Sequence, residues 1–428
     1  MSWWSTAEPR SADRMAETGT ARPTAWRGPV AAVILLQTAA AFILHSLPTT
    51  GPALIALHGW SESVIGYLMA LAMASSIVFM LASGGAVHRF GPIRCVQVCL
   101  LVSAAGLALL PFATWTAPVA TAVLIGFGYG PATPAASDIL QRFSPPRHRA
   151  FIFSLKQAGV PLGGVAAGLL LPWLVTDYGW AGVTALTGAV AVAATLFAQV
   201  SRARSDLPRP SSGAPSTGRR RVRLVEPILT LRSGPGLPVL AGVGGCLAVT
   251  QGVFNAFLIA YLTIDLGLAF SVAGAVFSAM QAGGFIGRLA FGWVADRLGS
   301  GIAVVRIAAA GSIGSALVLS VAEPEWGTTI LIGLGATIGI VGAGWNGVQL
   351  SEIARRSPPG AVSETAAGAT TFVFAGFVCG PAGFGLALAQ LGSFPAVLAG
   401  LAVVPALALA LSFSVPRHTP NQGPSVFP

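Results

Sequence analysis

Charge is scarce in this chain. Asp, Glu, Lys and Arg supply only 9% of its 428 residues, lysine occurs once, histidine five times and cysteine four. A soluble globular domain carries about a quarter of its residues charged, so the scarcity excludes that class. The one lysine follows no glycine-rich loop, which removes the phosphate-cradling motif and with it any expectation of ATP. No paired His-Glu metal motif and no Ser-His-acid set is present, so we expect neither an enzyme nor a cofactor. Cys95, Cys99, Cys246 and Cys379 lie in or at the ends of apolar segments and imply no disulfide. Cys95 and Cys99 share a helix face, but no His or acid stands at ligand spacing, and small-residue packing explains them without a metal. The short alternating segments of a transmembrane β-barrel are also missing.

What the chain does have is apolar length. Hydrophobic residues make up 54%, glycine occurs 53 times and the mean hydropathy is +0.76. Crossing ~30 Å of hydrocarbon as a helix takes ~20 residues, so the sequence admits roughly a dozen spans. The expected fold is all-α and integral to a membrane. The net charge of +10 is spread over turns that flank the spans and forms no single basic face, which argues against nucleic acid as a partner. Arginine falls at alternate connections: Arg89 and Arg94; Arg142, Arg147 and Arg149; the cluster from Arg202 to Arg232; Arg297; Arg355 and Arg356; and Arg417. The connections near His58, Pro111, Asp177, Asp265, Glu323 and Ser393 hold no Lys or Arg. The positive-inside rule places the arginine-bearing turns and both termini in the cytoplasm. An arginine-rich, lysine-poor composition suggests a bacterial inner membrane.

The chain also repeats itself. An apolar, glycine-studded stretch from Gly283 to Gly299 carries Arg288 in its interior and ends in Gly292-x-x-x-Asp296-Arg297-x-Gly299. Gly84, Arg89 and Gly91 reproduce that spacing in the first half, with His88 where the later copy has Asp296. A second pair, Ser137-Asp138-Ile139 and Ser351-Glu352-Ile353, each running on to a Pro-Pro, makes the chain a tandem duplication. At these residues it resembles the major facilitator superfamily of secondary transporters, whose signature loop is Gly-x-x-x-Asp-Arg-x-Gly-Arg. The resemblance covers nearly all of the chain beyond the N-terminal tail. It implies twelve transmembrane helices in two pseudo-symmetric six-helix bundles, alternating access, and substrate near the midplane between the halves.

We therefore expect a disordered cytoplasmic tail over residues 1–27, with Met15 as an alternative start, and no signal peptide. Residues 28–200 would form the first bundle, 201–236 a cytoplasmic linker with a surface helix near 225–231, 237–414 the second bundle and 415–428 a second tail. The expected spans are 28 to the mid-50s with a break at Pro48, then 62–84, 93–111, 117–140, 150–174 and 179–200. The second half gives 237–262, 271–295, 301–322, 327–350, 361–389 and 394–414.

A charge left in hydrocarbon costs at least ~2.5 kcal/mol and needs a reason. Lys156 and Arg288 each lie about two turns inside a span, without an acid one helical turn away. Two cations from opposite halves would suit an anion. The position of Arg288 is similar to that of an arginine in the monocarboxylate and oxalate transporters of the superfamily, where it holds the substrate carboxylate. For Arg288 a structural bridge to a neighbouring helix or snorkelling to the surface stays open. For Lys156 the rival is a hydrogen bond to a backbone carbonyl or to Asp138. His45, mid-span, could couple protons, touch substrate or make an interhelical hydrogen bond. Gln251 and Asn255, one turn apart, and Asn346 and Gln349 present amides, and the resemblance implies that their helices line the cavity. Tyr129, Trp345 and Phe374 could add aromatic wall.

Asp138 and Glu352, with Arg89, Asp296 and Arg297 of the signature loops, read as gate parts, with Arg89 pairing Asp138 and Arg297 pairing Glu352. The functional expectation is a monomeric secondary transporter of a small organic anion, monocarboxylate-like, with proton symport or anion exchange. Lipid surrounds it. Proton-coupled efflux of hydrophobic or cationic compounds is the alternative, and a non-transporting membrane sensor the alternative of another class.

Overall fold

The computed structural model describes residues 26–112, 114–145, 149–205, 226–358 and 361–416. The expected tails and most of the expected linker lie outside these residues. The first half comprises α1 (Arg27–His58), α2 (Ser63–Ala82), the short α3 (Gly84–Phe90), α4 (Pro92–Leu107), α5 (Thr116–Tyr129), α6 (Ala132–Phe143) and α7 (Arg149–Ser205). The second comprises α8 (Glu226–Thr230), α9 (Leu237–Ala260), α10 (Phe270–Leu298), α11 (Gly301–Ser320), α12 (Gly327–Ala343), α13 (Trp345–Arg356), α14 (Val362–Leu391), α15 (Phe394–Leu401) and α16 (Val403–Phe413).

Among the described residues nine helical stretches are long and apolar enough to cross a membrane. One of them, within α7, is two spans joined at Gly179, whose φ of 60° and ψ of −160° only glycine adopts without strain. The shorter apolar α4 and the α5–α6 pair complete twelve spans in two pseudo-symmetric bundles of six. Two spans expected to be continuous are broken. Gly130 and Pro131 separate α5 from α6, and Gly344 separates α12 from α13, each break the same number of residues ahead of Asp138 or Glu352. At the second break the indole of Trp345 donates to Gly342 O at 2.8 Å and recovers a carbonyl.

Pro48, by contrast, does not interrupt α1, which continues through it and Pro52. The hydroxyls of Ser46, Thr49 and Thr50 donate to the carbonyls of Ile43, His45 and Ser46 at 2.6–2.7 Å. These hydroxyls bond carbonyls beside the proline, and Leu44 O, the carbonyl that a donor at position 48 would have met, is not among their acceptors.

The halves meet along α7 and α10, α2 and α14, and α1 and α9. Glycine sets the separation. Gly168 of α7 faces Gly274 and Ser278 of α10 so closely that a β-carbon would collide, and Gly66 of α2 faces the Pro381 carbonyl of α14 in the same way. Ser278 Oγ donates to Val165 O across the interface at 3.0 Å. These contacts lie toward the arginine-poor ends of the helices, where the two halves are sealed together.

At the arginine-rich end of the second half, Glu352 is buried, with 3% of its side chain exposed. It accepts from Gly301 N, at the start of α11, at 3.0 Å and pairs with Arg355 and Arg356. A carboxylate suits a helix N-terminus. Arg356, 1% exposed, also donates to Pro416 O at 3.0 Å and so ties the end of the chain to α13.

Two predictions follow from this packing. Glu352→Ala leaves Arg356 charged and buried, and should cost about 3 kcal/mol; Arg355→Ala, at an exposed partner, should cost under about 1 kcal/mol. Melting of the purified protein checks this, and equal melting temperatures for the two variants would contradict it. Gly168→Leu should hold the halves apart at the sealed end, so that a Ser278→Cys thiol, in a background without the native cysteines, labels faster with maleimide; unchanged labelling would contradict the close approach.

Candidate functional site

Arg288 and Lys156 come from opposite halves, and each bonds a different oxygen of Gln157, the residue after Lys156 on α7. Arg288 Nη1 donates to Gln157 O at 2.9 Å, and Lys156 Nζ donates to Gln157 Oε1 at 3.3 Å. The Arg288 Nε also reaches Ala343 O at 3.5 Å, and Tyr129, at the end of α5, sits within the electrostatic reach of the guanidinium. Lys156 is 5% exposed. Neither cation is ion-paired among the described residues, and the expected rival of Lys156, Asp138, pairs with Arg142 at 2.7 Å instead. Arg288 therefore bridges to neighbouring helices and still carries an uncompensated charge. Lys156 uses one of its three donors on a neutral amide.

Next to Arg288 three of the expected amides, with Gln281, form two pairs. Asn346 Nδ2 donates to Gln251 Oε1 at 3.2 Å and to Ala343 O at 3.3 Å. Gln281 Nε2 donates to Asn255 Oδ1 at 3.3 Å. Gln251, Asn255 and Gln281 line a small cleft with Phe254, Met280 and Ala343, of about 10 Å³, room for about one water molecule. Since Ala343 O serves both Arg288 and Asn346, the cationic and amide groups are contiguous.

His45 lies apart from this cluster. It is buried, its Nδ1 is 2.7 Å from Ala41 O in its own helix, and its ring meets Phe277 of α10 edge-on at 5.8 Å. It stands at the junction of the halves as a packed residue. Gln349 is spent on Leu240 O at 2.7 Å, and Trp345 is fully buried, so neither adds cavity wall.

The gate residues pair differently from expectation. Glu352 takes Arg355, Arg356 and Gly301 N, whereas Arg297 stacks over Trp293 with its guanidinium carbon 4.1 Å from the ring centroid. Asp138 takes Arg142, and Arg89 lies over Phe90 at 5.3 Å. Partners within one helical turn on the same helix need no second helix to be positioned, and they win. Asp296 lies in the last turn of α10, beside Arg297.

Three residues escaped the sequence reading. Gln281 and Gln157 are neutral, and no charge in hydrocarbon drew attention to them. A signal for Gln281 existed, because Gly274, Ser278, Gln281 and Arg288 fall on one face of α10 at helical and heptad spacing. Arg306, inside α11, was passed over and is structural: it donates to Ser412 Oγ at 3.1 Å and Ser412 O at 3.0 Å and stacks over Phe413 at 4.1 Å.

Comparison with known proteins agrees with this architecture. The chain is 25% identical over 323 residues to a gallate transporter of Pseudomonas putida, covering 69% of each protein. It is 28% identical over 138 residues to the 4-hydroxybenzoate transporter PcaK of Acinetobacter baylyi, covering 32% of this chain and 30% of that one. Among solved structures it resembles the nucleoside transporter NupG with a TM-score of 0.69 at 15% identity, covering 90% of this chain and 98% of that one. The sequence model of the Major Facilitator Superfamily matches residues 31–381, and the chain belongs to that family.

Proposed function

We propose that this protein moves a small organic anion across a membrane by alternating access, holding the carboxylate between Arg288 and Lys156. The observation that carries the reading is the convergence of two unpaired cations, one from each half, on Gln157. An anion between them would supply the missing countercharge and join the halves, which is what a site at a rocking interface needs. The printed functions of the relatives, gallate and 4-hydroxybenzoate transport, are of the same chemical class.

Every Asp and Glu among the described residues lies toward a helix end or in a connection, away from the cleft, so the interior favours anions over organic cations. That disfavours efflux of cationic compounds. Both halves of the site come from one chain, which supports a monomer as the working unit. The arginine-bearing turns support an inner-membrane protein with cytoplasmic termini, in which the sealed ends face outward and the site communicates with the cytoplasm. The coupling is proton symport or exchange for a second anion.

Ligand-dependent melting of the purified protein against carboxylates, amines and drugs tests the reading. A carboxylate should raise the melting temperature of the parent, and Arg288→Ala and Lys156→Met should each weaken its binding by about tenfold or more, the worth of a charge-assisted hydrogen bond. Stabilisation by amines or drugs, insensitive to both substitutions, would overturn it.

A further inference from the structure

We infer that the corner where the start of α11 meets the end of α16 holds the headgroup phosphate of an acidic phospholipid, drawn from the leaflet on the arginine-bearing side, with Arg306 as its cationic contact. Arg306 requires such a partner. It lies five residues into α11, about 7.5 Å along the helix from Gly301, and a charge at that depth needs a reason. Two of its five N–H donors go to Ser412 of α16, Nε to Oγ at 3.1 Å and Nη2 to the carbonyl at 3.0 Å. Ser412 is buried and neutral, and no acid pairs with Arg306 among the described residues. The clamp therefore fixes the guanidinium in place, leaves donors over and supplies no negative charge.

The surroundings face lipid. Arg306, the one charged residue of α11, shares a face of that helix with the exposed Ile307, Ala310 and Leu317. The neighbouring α16 exposes Val403, Leu407 and Phe413. Phe413 is 64% exposed, and the Arg306 guanidinium carbon lies 4.1 Å from its ring centroid. α11 alone, and α16 together with α15, are long and apolar enough to cross a membrane, so these faces meet acyl chains. Both apolar stripes end, toward the arginine-rich side, at Arg306 and Phe413. A phospholipid fits that order, with its chains against the stripes and its phosphate, a bidentate acceptor for arginine, at the guanidinium.

Charge selects the headgroup. Across the Gly299 turn Arg297 stacks over the exposed Trp293, and α13, which packs on α10 and α11, ends in Arg355 and Arg356. Against these arginines and Arg306 stand Asp296, beside Arg297, and Glu352, which is buried and taken by Arg355, Arg356 and Gly301 N. The excess is positive. A zwitterionic headgroup brings its own ammonium into that field, whereas phosphatidylglycerol brings negative charge alone.

Native mass spectrometry of the full-length purified protein, titrated with phosphatidylglycerol, phosphatidylcholine and inorganic phosphate, tests this. The parent should hold its tightest phosphatidylglycerol at least about fivefold more firmly than phosphatidylcholine, the worth of one arginine near a headgroup, and inorganic phosphate should not displace it. Arg306→Gln should abolish that preference. Ala303→Glu should abolish it too, because it leaves the Ser412 clamp intact and sets an acid one turn from Arg306. Since Ser300 caps α11 and accepts from Ala303 N, a glutamate at 303 completes a capping box and should not harm folding. Equal affinity of the parent for the two lipids would overturn the inference. A preference that survives in either variant, shown to be folded by its melting in detergent, would overturn it and leave Arg306 as a clamp between α11 and α16. Displacement by inorganic phosphate would also overturn it, since the anion contact would then need no lipid on the stripes.

Discussion

Placing a positive charge inside a membrane protein is costly, and among the described residues Arg288 and Lys156 have no acidic partner. Arg288 and Lys156 meet the same residue, Gln157, from opposite halves, and what they receive there is a backbone carbonyl and a neutral amide. Dipoles of that kind soften the desolvation of a cation without cancelling its charge. On the proposed reading, the remaining imbalance sits where the two bundles separate and rejoin. On that reading a ligand that neutralises it would change the balance between states that join and part these helices, and an energy difference of a few kcal/mol suffices to move such an equilibrium.

The backbone arrangement makes that meeting possible. Lys156 and Gln157 are neighbours on α7, and Arg288 of α10 reaches them across an interface where α7 and α10 approach through glycine against glycine and serine. The same contacts seal the arginine-poor end. Among the described residues the Arg288–Gln157 bond is the hydrogen bond between halves that lies nearest the arginine-rich end. The seal and the site thus share one helix pair, so a change in the angle between α7 and α10 alters both.

Much of this was legible in the sequence because it follows from hydrocarbon. The span count, and Arg288 and Lys156 as the charges needing explanation, come from what lipid does not tolerate, and the tandem halves from the repeated motifs. The turn at Gly179 was visible as a change of composition around Asp177. Less legible were features decided by competition between partners. Arg89 with Asp138 and Arg297 with Glu352 looked sound by symmetry, but Arg142, Arg355 and Arg356 lie within a turn of those acids on their own helices. Pro48 looked like a break because proline lacks a donor, yet α1 is buried on both sides of it and runs on. Gln157 was silent because it carries no charge and no partner is visible in sequence, whereas the pattern of Gly274, Ser278, Gln281 and Arg288 on one face of α10 could have marked Gln281. His45, conspicuous by its chemistry, packs between helices away from the cations.

The central claim is that Arg288 and Lys156 hold one anion jointly, and a double-mutant cycle on carboxylate affinity measures that directly. Binding would be compared in the parent, Arg288→Gln, Lys156→Met and the double variant. If one carboxylate bridges both cations, the losses are non-additive by about 1 kcal/mol or more. Losses that add within about 0.5 kcal/mol, as for independent sites, would contradict the account.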